Sequence, residues 1–233
     1  MIYSANDIIE YVNCPSRYFL NVTSKVVPDR YTLKKRLYDK TPDFVNLLVN
    51  PGENNESEYR ILSMAITDGL SSINSAKDSI MIRKMMYAIE MFLARRELKV
   101  CQAGEDVEVN YGQHTLSTRY DAVVEEVKSG RKFPVMFDFS NTKYEAQFNP
   151  ISYRCQVVAD HFNLKDKNTV VKVVTISNES VWNYDHRKYK DVRGLSIEET
   201  IRAIELNMYP MRLGWWCAGC HWRGLCHRFL EIK

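Results

Sequence analysis

No apolar run in the 233 residues is long enough to span a bilayer. Nor does Met1-Ile2-Tyr3-Ser4-Ala5-Asn6-Asp7 read as a secretion signal, because polar and acidic residues stand where its apolar core would lie. Both absences point to a cytoplasmic or equally reducing compartment, where a group of cysteines more often holds a metal than a disulfide framework. A large excess of charge is missing too. The net +3 permits a nucleic-acid partner without demanding one. There is no internal repeat, which argues against a repeat array. At this length one large domain, or a domain with a small appendage, is expected, and the 45% hydrophobic content is enough for a sizeable core.

Cysteine, by contrast, is concentrated. Cys217, Cys220 and Cys226 fall within ten residues of a Trp-rich tail. Three thiols are one short of a closed four-coordinate site, and the best fourth ligand is Cys14, in Asn13-Cys14-Pro15-Ser16-Arg17-Tyr18. The two ends of the chain would then clasp one inorganic centre. Thiolates are soft ligands for zinc or iron–sulfur clusters and release protons on binding. The C-x2-C spacing lets a tight turn present two sulfurs, and Cys226 returns on the following helical turn. Four cysteines suit an iron–sulfur cluster. Zinc on Cys217, Cys220 and Cys226 with His221 or His227 is the competing assignment. Pro15 restricts Cys14 to extended backbone, turning its thiol away from the helix it ends. Trp215, Trp216 and Trp222 are expected to shield the centre, and Cys101 and Cys155 read as core thiols.

Along the chain, Ser4 with Asp7 forms a capping-box pattern ahead of Ile8, Ile9, Tyr11 and Val12, and the helix should stop at Cys14-Pro15. From 26 to 48, Lys34, Lys35, Arg36 and Lys40 interleave with Tyr31 and Tyr38. A solvated helix is the plain reading, and stacking on a single strand the functional one. Turn formers fill 50–57. Residues 58–98 carry helical spacing, divided near Asn74-Ser75. The period then alternates: 107–111, a Gly112-Gln113 turn, 115–126 and 134–139 predict an antiparallel meander of three strands. Residues 148–164 read as a helix, 169–176 as a buried strand, and Ser196 with Glu199 caps a helix reaching about Tyr209. Helices on a mixed central sheet define an α/β class.

Two acids stand out. Asp121 falls in the middle of the expected 115–126 strand, and Asp138 ends the next among Val135, Met136, Phe137 and Phe139. A carboxylate buried there costs several kcal/mol unless it is paired or coordinates a cation. On paired strands the two could hold one divalent metal. The structural alternative has Asp138 capping the Ser140-Asn141-Thr142 turn and Asp121 paired with Arg119.

Taken together, Ser4 to Tyr18, the two acids and the tail Cys217-x-x-Cys220-x-Trp222-Arg223-x-Leu225-Cys226 resemble RecB-like nucleases of the PD-(D/E)xK superfamily. Within it, the match is to CRISPR-associated RecB-family exonucleases with an iron–sulfur cluster. The resemblance implies a restriction-endonuclease-like core over 99–196, a helical region at 26–98, and a cluster subdomain built from 1–25 and 197–233. It implies a 4Fe-4S cluster on Cys14, Cys217, Cys220 and Cys226. Asp121 matches the metal-binding Asp, Asp138 the acid of the D/E-x-K strand, and Gln156 the glutamine of the Q-x-x-x-Y helix, with magnesium or manganese as metal. Three positions depart from it: Ser140 stands where the lysine should be, Ser72 and Ile73 follow Gly69 where a histidine is usual, and Asp160 replaces the tyrosine. Lys143 or Lys172 would have to move into the lysine's role. The implied function is a nuclease-fold protein that binds DNA with cleavage weakened or lost, as a subunit of a nucleic-acid-processing complex. An active DNA exonuclease using a displaced lysine, and a zinc-stabilised interaction module, are the alternatives. Lys34, Lys35, Arg36, Arg83, Lys84, Arg95 and Arg96 are the charges available for a basic channel.

Overall fold

The computed structural model describes residues 2–24, 41–46, 87, 89–91, 93, 97–138, 151–164, 171–175, 180–185, 196–210, 217, 220 and 222–226. The chain opens with β1 (Ile2–Ser4), α1 (Ala5–Asn13) and α2 (Pro15–Ser24). The expected capping box is present: the Asp7 N–H donates to Ser4 Oγ at 3.2 Å, and the Ser4 N–H to Asp7 Oδ2 at 2.8 Å. Two orphan donors of the first turn are thereby satisfied. The helix stops at Cys14, whose φ of −159° and ψ of 100° are extended, as the following proline requires. The chain does not leave in a loop, however. Pro15 is tolerated at the first helical position, where its missing N–H costs nothing, and starts α2 directly.

Strands β2 (Leu98–Ala103), β3 (Asp106–Tyr111), β4 (His114–Arg119), β5 (Ala122–Glu126) and β6 (Arg131–Asp138) follow. Gly112, at φ +63°, makes the two-residue turn between β3 and β4. The expected single strand 115–126 is in fact two, and this corrects the three-strand meander. β4 lies between β1 and β3 in a three-stranded sheet, whereas β5 belongs to a five-stranded sheet of order β2-β5-β6-β7-β8. The break falls at Tyr120-Asp121, so Asp121 occupies the passage between sheets and not a strand interior. The last elements are α3 (Ile151–His161), β7 (Val171–Thr175), β8 (Ser180–Tyr184) and α4 (Ile197–Glu205). β6 and β7 run parallel while their outer neighbours are antiparallel, so the sheet is mixed. Strands β2 and β8 were not legible by alternation. The helix begun at Ser196 ends at Glu205, short of Tyr209, with Asn207 at φ +54° just beyond it.

α3 is buried nearly all round because it serves two cores. Tyr153 and Val157 join Ile8, Tyr11, Leu116, Ile201 and the rest of one cluster; Ile151, Cys155, Val158 and Ala159 pack with Met136, Val171 and Val173 in the other. Such a helix shows little amphipathic contrast. The first cluster draws on α1, α2 and α4 as well as β3 and β4, so the chain's opening segment and the core share one interior. No helix among the described residues is long and apolar enough to cross a membrane. The basic stretch at Lys34 to Lys40, the 50–57 loop, most of the 58–98 helical region including Arg83, Lys84, Arg95 and Arg96, and Ser140 to Lys143 lie outside the described residues.

Gly104, between β2 and β3, holds the passage closed. Its N–H donates to the Asp121 carbonyl at 2.9 Å, and a Cβ there would stand 1.9 Å from the Tyr120 carbonyl oxygen and 2.6 Å from Asp121 Cα. Backbone on that side cannot step aside. Gly104→Ala should therefore destabilise the protein by about 3 kcal/mol or more, measured by chemical denaturation, and an unchanged midpoint would show the passage to be loose.

Candidate functional site

The chain's ends meet. After α4, Tyr209 sets its ring among Tyr11, Tyr18 and Phe19, the last with centroids 4.8 Å apart. Its carbonyl accepts from Ser16 Oγ at 2.9 Å, and the Met208 carbonyl accepts from the Tyr11 hydroxyl. Burial, more than its acidic neighbours, pushes the Tyr18 phenol up to about 12, so it is a neutral packing group at any physiological pH. In the tail, Trp222 Nε1 donates to Asn21 Oδ1 at 2.8 Å across 201 positions of sequence. Trp222 is thereby tied to α2 beside the cysteines; Trp215, Trp216, His221 and His227 lie outside the described residues.

The cysteines follow from this closure. Cys14 is buried at the α1–α2 junction, its N–H on the Glu10 carbonyl and its own carbonyl taken by the Tyr18 N–H. In the tail, the Cys220 N–H donates to the Cys217 carbonyl at 3.2 Å, and the Cys226 N–H to the Trp222 carbonyl at 3.0 Å. These are the tight turn and the following helical turn that the spacing predicts. None of the four is in a disulfide. Burial pushes the Cys226 thiol up, and Cys220, Cys14 and Cys217 add to the shift in that order, which puts Cys226 within electrostatic reach of the other three sulfurs. A donor set whose members oppose one another's ionisation suits a cation, since a coordinated thiol is deprotonated outright. Among the described residues no group of three or more His, Cys, Asp or Glu is set to hold a single metal ion.

Asp121 and Asp138 are buried acids, exposed by only 1% and 2%. The Phe137 N–H donates to Asp121 Oδ2 at 2.6 Å, and the Asp121 N–H to the Val135 carbonyl at 3.0 Å. The first acid is thus pinned to the strand that ends in the second. Burial raises the Asp121 carboxyl above the usual range, opposed first by Arg154, then by the Phe137 N–H, then by Arg119. A buried, desolvated carboxylate fits a divalent cation as partner.

Asp138 pairs in register with Thr175, and Met136 shares its face and meets Cys155 Sγ at 3.6 Å, so Asp138 lies on the α3 side of the sheet. Gln156 is buried on α3, and its amide makes no hydrogen bond among the described residues. Lys172 is not on that side. It pairs with Val135, three positions out of phase with Thr175, and its Nζ lies 4.0 Å above the Phe133 ring. Alternation therefore excludes it as the displaced lysine. Lys143 lies outside the described residues. Asp160, at the expected tyrosine position, accepts from the Tyr111 hydroxyl, which restores a phenol near that turn of α3 from β3.

Sequence reasoning missed Arg154. Its Nη2 donates to the Arg119 carbonyl at 2.9 Å, and its Nε lies 3.4 Å from Thr118 Oγ1. A lone arginine two residues before a glutamine gives no signal until α3 is laid against β4.

No family model matches the chain, and no curated protein matches it. Solved structures of similar shape include one described as the crystal structure of SSO0001, with 12% identity and a TM-score of 0.45 over 97% of this chain and 85% of that one. The site is accordingly read from its own residues.

The raised Asp121 value gives a signed prediction. The native state holds that proton more tightly than the unfolded chain, so stability carried by this group is full below the ordinary carboxylate value and is lost as pH rises through the folded one. In chelator, Asp121→Asn, which keeps an acceptor for Phe137, should match wild type near about pH 3 and exceed it by about 1 kcal/mol or more at neutral pH. Denaturant titrations across pH test this; a variant less stable at pH 7 would contradict it.

Proposed function

We propose that this chain is a RecB-like, nuclease-fold protein that binds DNA, is closed by a 4Fe-4S cluster on Cys14, Cys217, Cys220 and Cys226, and has lost much of its metal-dependent cleavage. The observation that carries this reading is the closure of the cysteine-bearing tail on the opening helices, where Trp222 Nε1 donates to Asn21 Oδ1 at 2.8 Å, with Cys14 among the charges that act on Cys226. Zinc would need only the tail with a histidine, whereas four thiols drawn from both ends suit a cluster. The cluster's role here is to hold α1, α2 and the tail together, as a structural centre contributes folding energy outright.

At the carboxylates, a divalent cation would supply Lewis-acid polarisation of a phosphodiester and a more acidic water. Asp121 and Asp138 would hold it, and Gln156 would help to orient water or substrate. What these residues do not supply is the positive charge of the D/E-x-K lysine. Ser140 is neutral, Lys172 faces the other way, and loss of one such contact typically slows catalysis by roughly a hundred- to a thousand-fold. Lys143 is the remaining lysine for that role. A protein with this fold and a slow centre serves well as a DNA-binding subunit of a larger nucleic-acid-processing assembly.

Anaerobically purified protein should be coloured and carry roughly four irons per chain, and Cys14→Ser should lose colour, iron and thermal stability together. A colourless protein with one zinc would sink the cluster, and full iron in the serine variant would sink the clasp. With manganese and single- or double-stranded DNA, wild type should cleave slowly and Asp138→Ala not at all. Rapid cleavage that depends on Lys143 would favour the active exonuclease instead.

A further inference from the structure

The side chain of Arg119, the last residue of β4, is incompletely satisfied among the described residues. Its Nε is fully buried and makes no hydrogen bond, and the chain forms no ion pair with its guanidinium among the described residues. Acids are near enough to expect one. Asp106 stands directly across the ladder in register, yet does not pair with it. Glu105 is engaged elsewhere, accepting from the Tyr120 hydroxyl at 3.0 Å and from Gln102 Nε2 at 3.2 Å. A buried donor left unsatisfied is destabilising, and such exceptions call for an explanation, a bound ion among them. Meanwhile Arg154 fixes the backbone at this point through the Arg119 carbonyl and Thr118, and both guanidinium charges bear on the single Asp121 carboxylate.

We propose that Arg119, held in place by Arg154, is a phosphoryl-binding residue beside Asp121, whose ligand is a phosphodiester of a nucleic-acid strand. The planar guanidinium fork matches two phosphate oxygens, where an ammonium offers only a point charge. The residue is partly exposed while its Nε is sealed, so the fork can meet a ligand that arrives from solvent. This goes beyond the two-acid centre but rests on the same reading of it as facing DNA. It places a fixed cation near Asp121 from β4, where the D/E-x-K pattern would place one two residues after Asp138.

The test uses the full chain, wild type against Arg119→Met. Lys128→Gln, an exposed residue paired with Glu97 at 2.9 Å, is the control for charge alone. In chloride, Arg119→Met should melt about 2 °C or more above wild type, because an orphaned donor has been removed. Inorganic phosphate at matched ionic strength should raise the melting temperature of wild type and of the control but not of Arg119→Met. Binding of a single-stranded oligonucleotide without divalent cation should weaken roughly tenfold in Arg119→Met, with the salt slope reduced by about one, and should hardly change in the control. If Arg119→Met melts lower while its phosphate response and oligonucleotide affinity stay at wild type, Arg119 is structural and the proposal is overturned. If the phosphate response is lost but oligonucleotide affinity is not, the anion site stands with free phosphate as its ligand, and it is the DNA reading of the centre that fails.

Discussion

Everything near the acids depends on how the chain passes from one sheet to the other at Tyr120-Asp121. β4 ends its ladder with β3 at Arg119, and β5 begins a different ladder with β2 and β6 at Ala122. Two residues are too few to travel through solvent, so the passage is made inside the protein, against Gly104. Its backbone groups cannot be left unpaired there. The Asp121 carbonyl takes the Gly104 N–H and the Asp121 N–H goes to Val135, while the carboxylate takes the Phe137 N–H. A carboxylate ends up buried because a side-chain acceptor is needed at that point. An asparagine would meet the same need at lower desolvation cost, so backbone satisfaction does not explain why the residue is an acid.

The amino-terminal segment is bound to the carboxylate half through α3. Its one face packs with α1 and α4, its other with the five-stranded sheet. Any displacement of α1 is therefore felt by the helix that carries Arg154 and Gln156. α1 is in turn held by the capping box at Ser4, by Tyr209 seated against Tyr11, and by the junction at Cys14. On the proposed reading, a cluster at that junction acts on the acids only by stiffening this packing, with no chemistry of its own passing between the two centres.

The amino acids that announced themselves did so where one local rule acted alone. Both capping boxes, the stop at Cys14-Pro15 and the Gly112-Gln113 turn are set by a few neighbouring residues, and all are where the pattern puts them. α2 was hidden because proline at a first helical position looks like a breaker. β2 and β8 were hidden because an edge strand needs little alternation, its pairing being supplied by β5 or β7. The break at Tyr120-Asp121 was the largest omission. Residues 115–126 alternate as one strand would, and only the separate partners of each half divide it. The two acids were legible as misfits among apolar residues; the arginines around them were not, since an arginine is unremarkable on almost any surface until its partner fails to appear.

On the proposed reading, a lysine is absent after Asp138 while arginines stand near Asp121. A lysine two residues after Asp138 would be a near neighbour in sequence, and its absence is visible in one line of sequence. A guanidinium from β4 or α3 reaches Asp121 only through the tertiary arrangement. Arginine keeps its proton at any working pH, so it can hold charge beside an acid but cannot take a proton from water as a base. Substituting guanidinium for ammonium thus preserves attraction for a phosphate while removing one means of activating a nucleophile. On the proposed reading, a centre so altered would keep its grip on a strand better than its rate of cutting it.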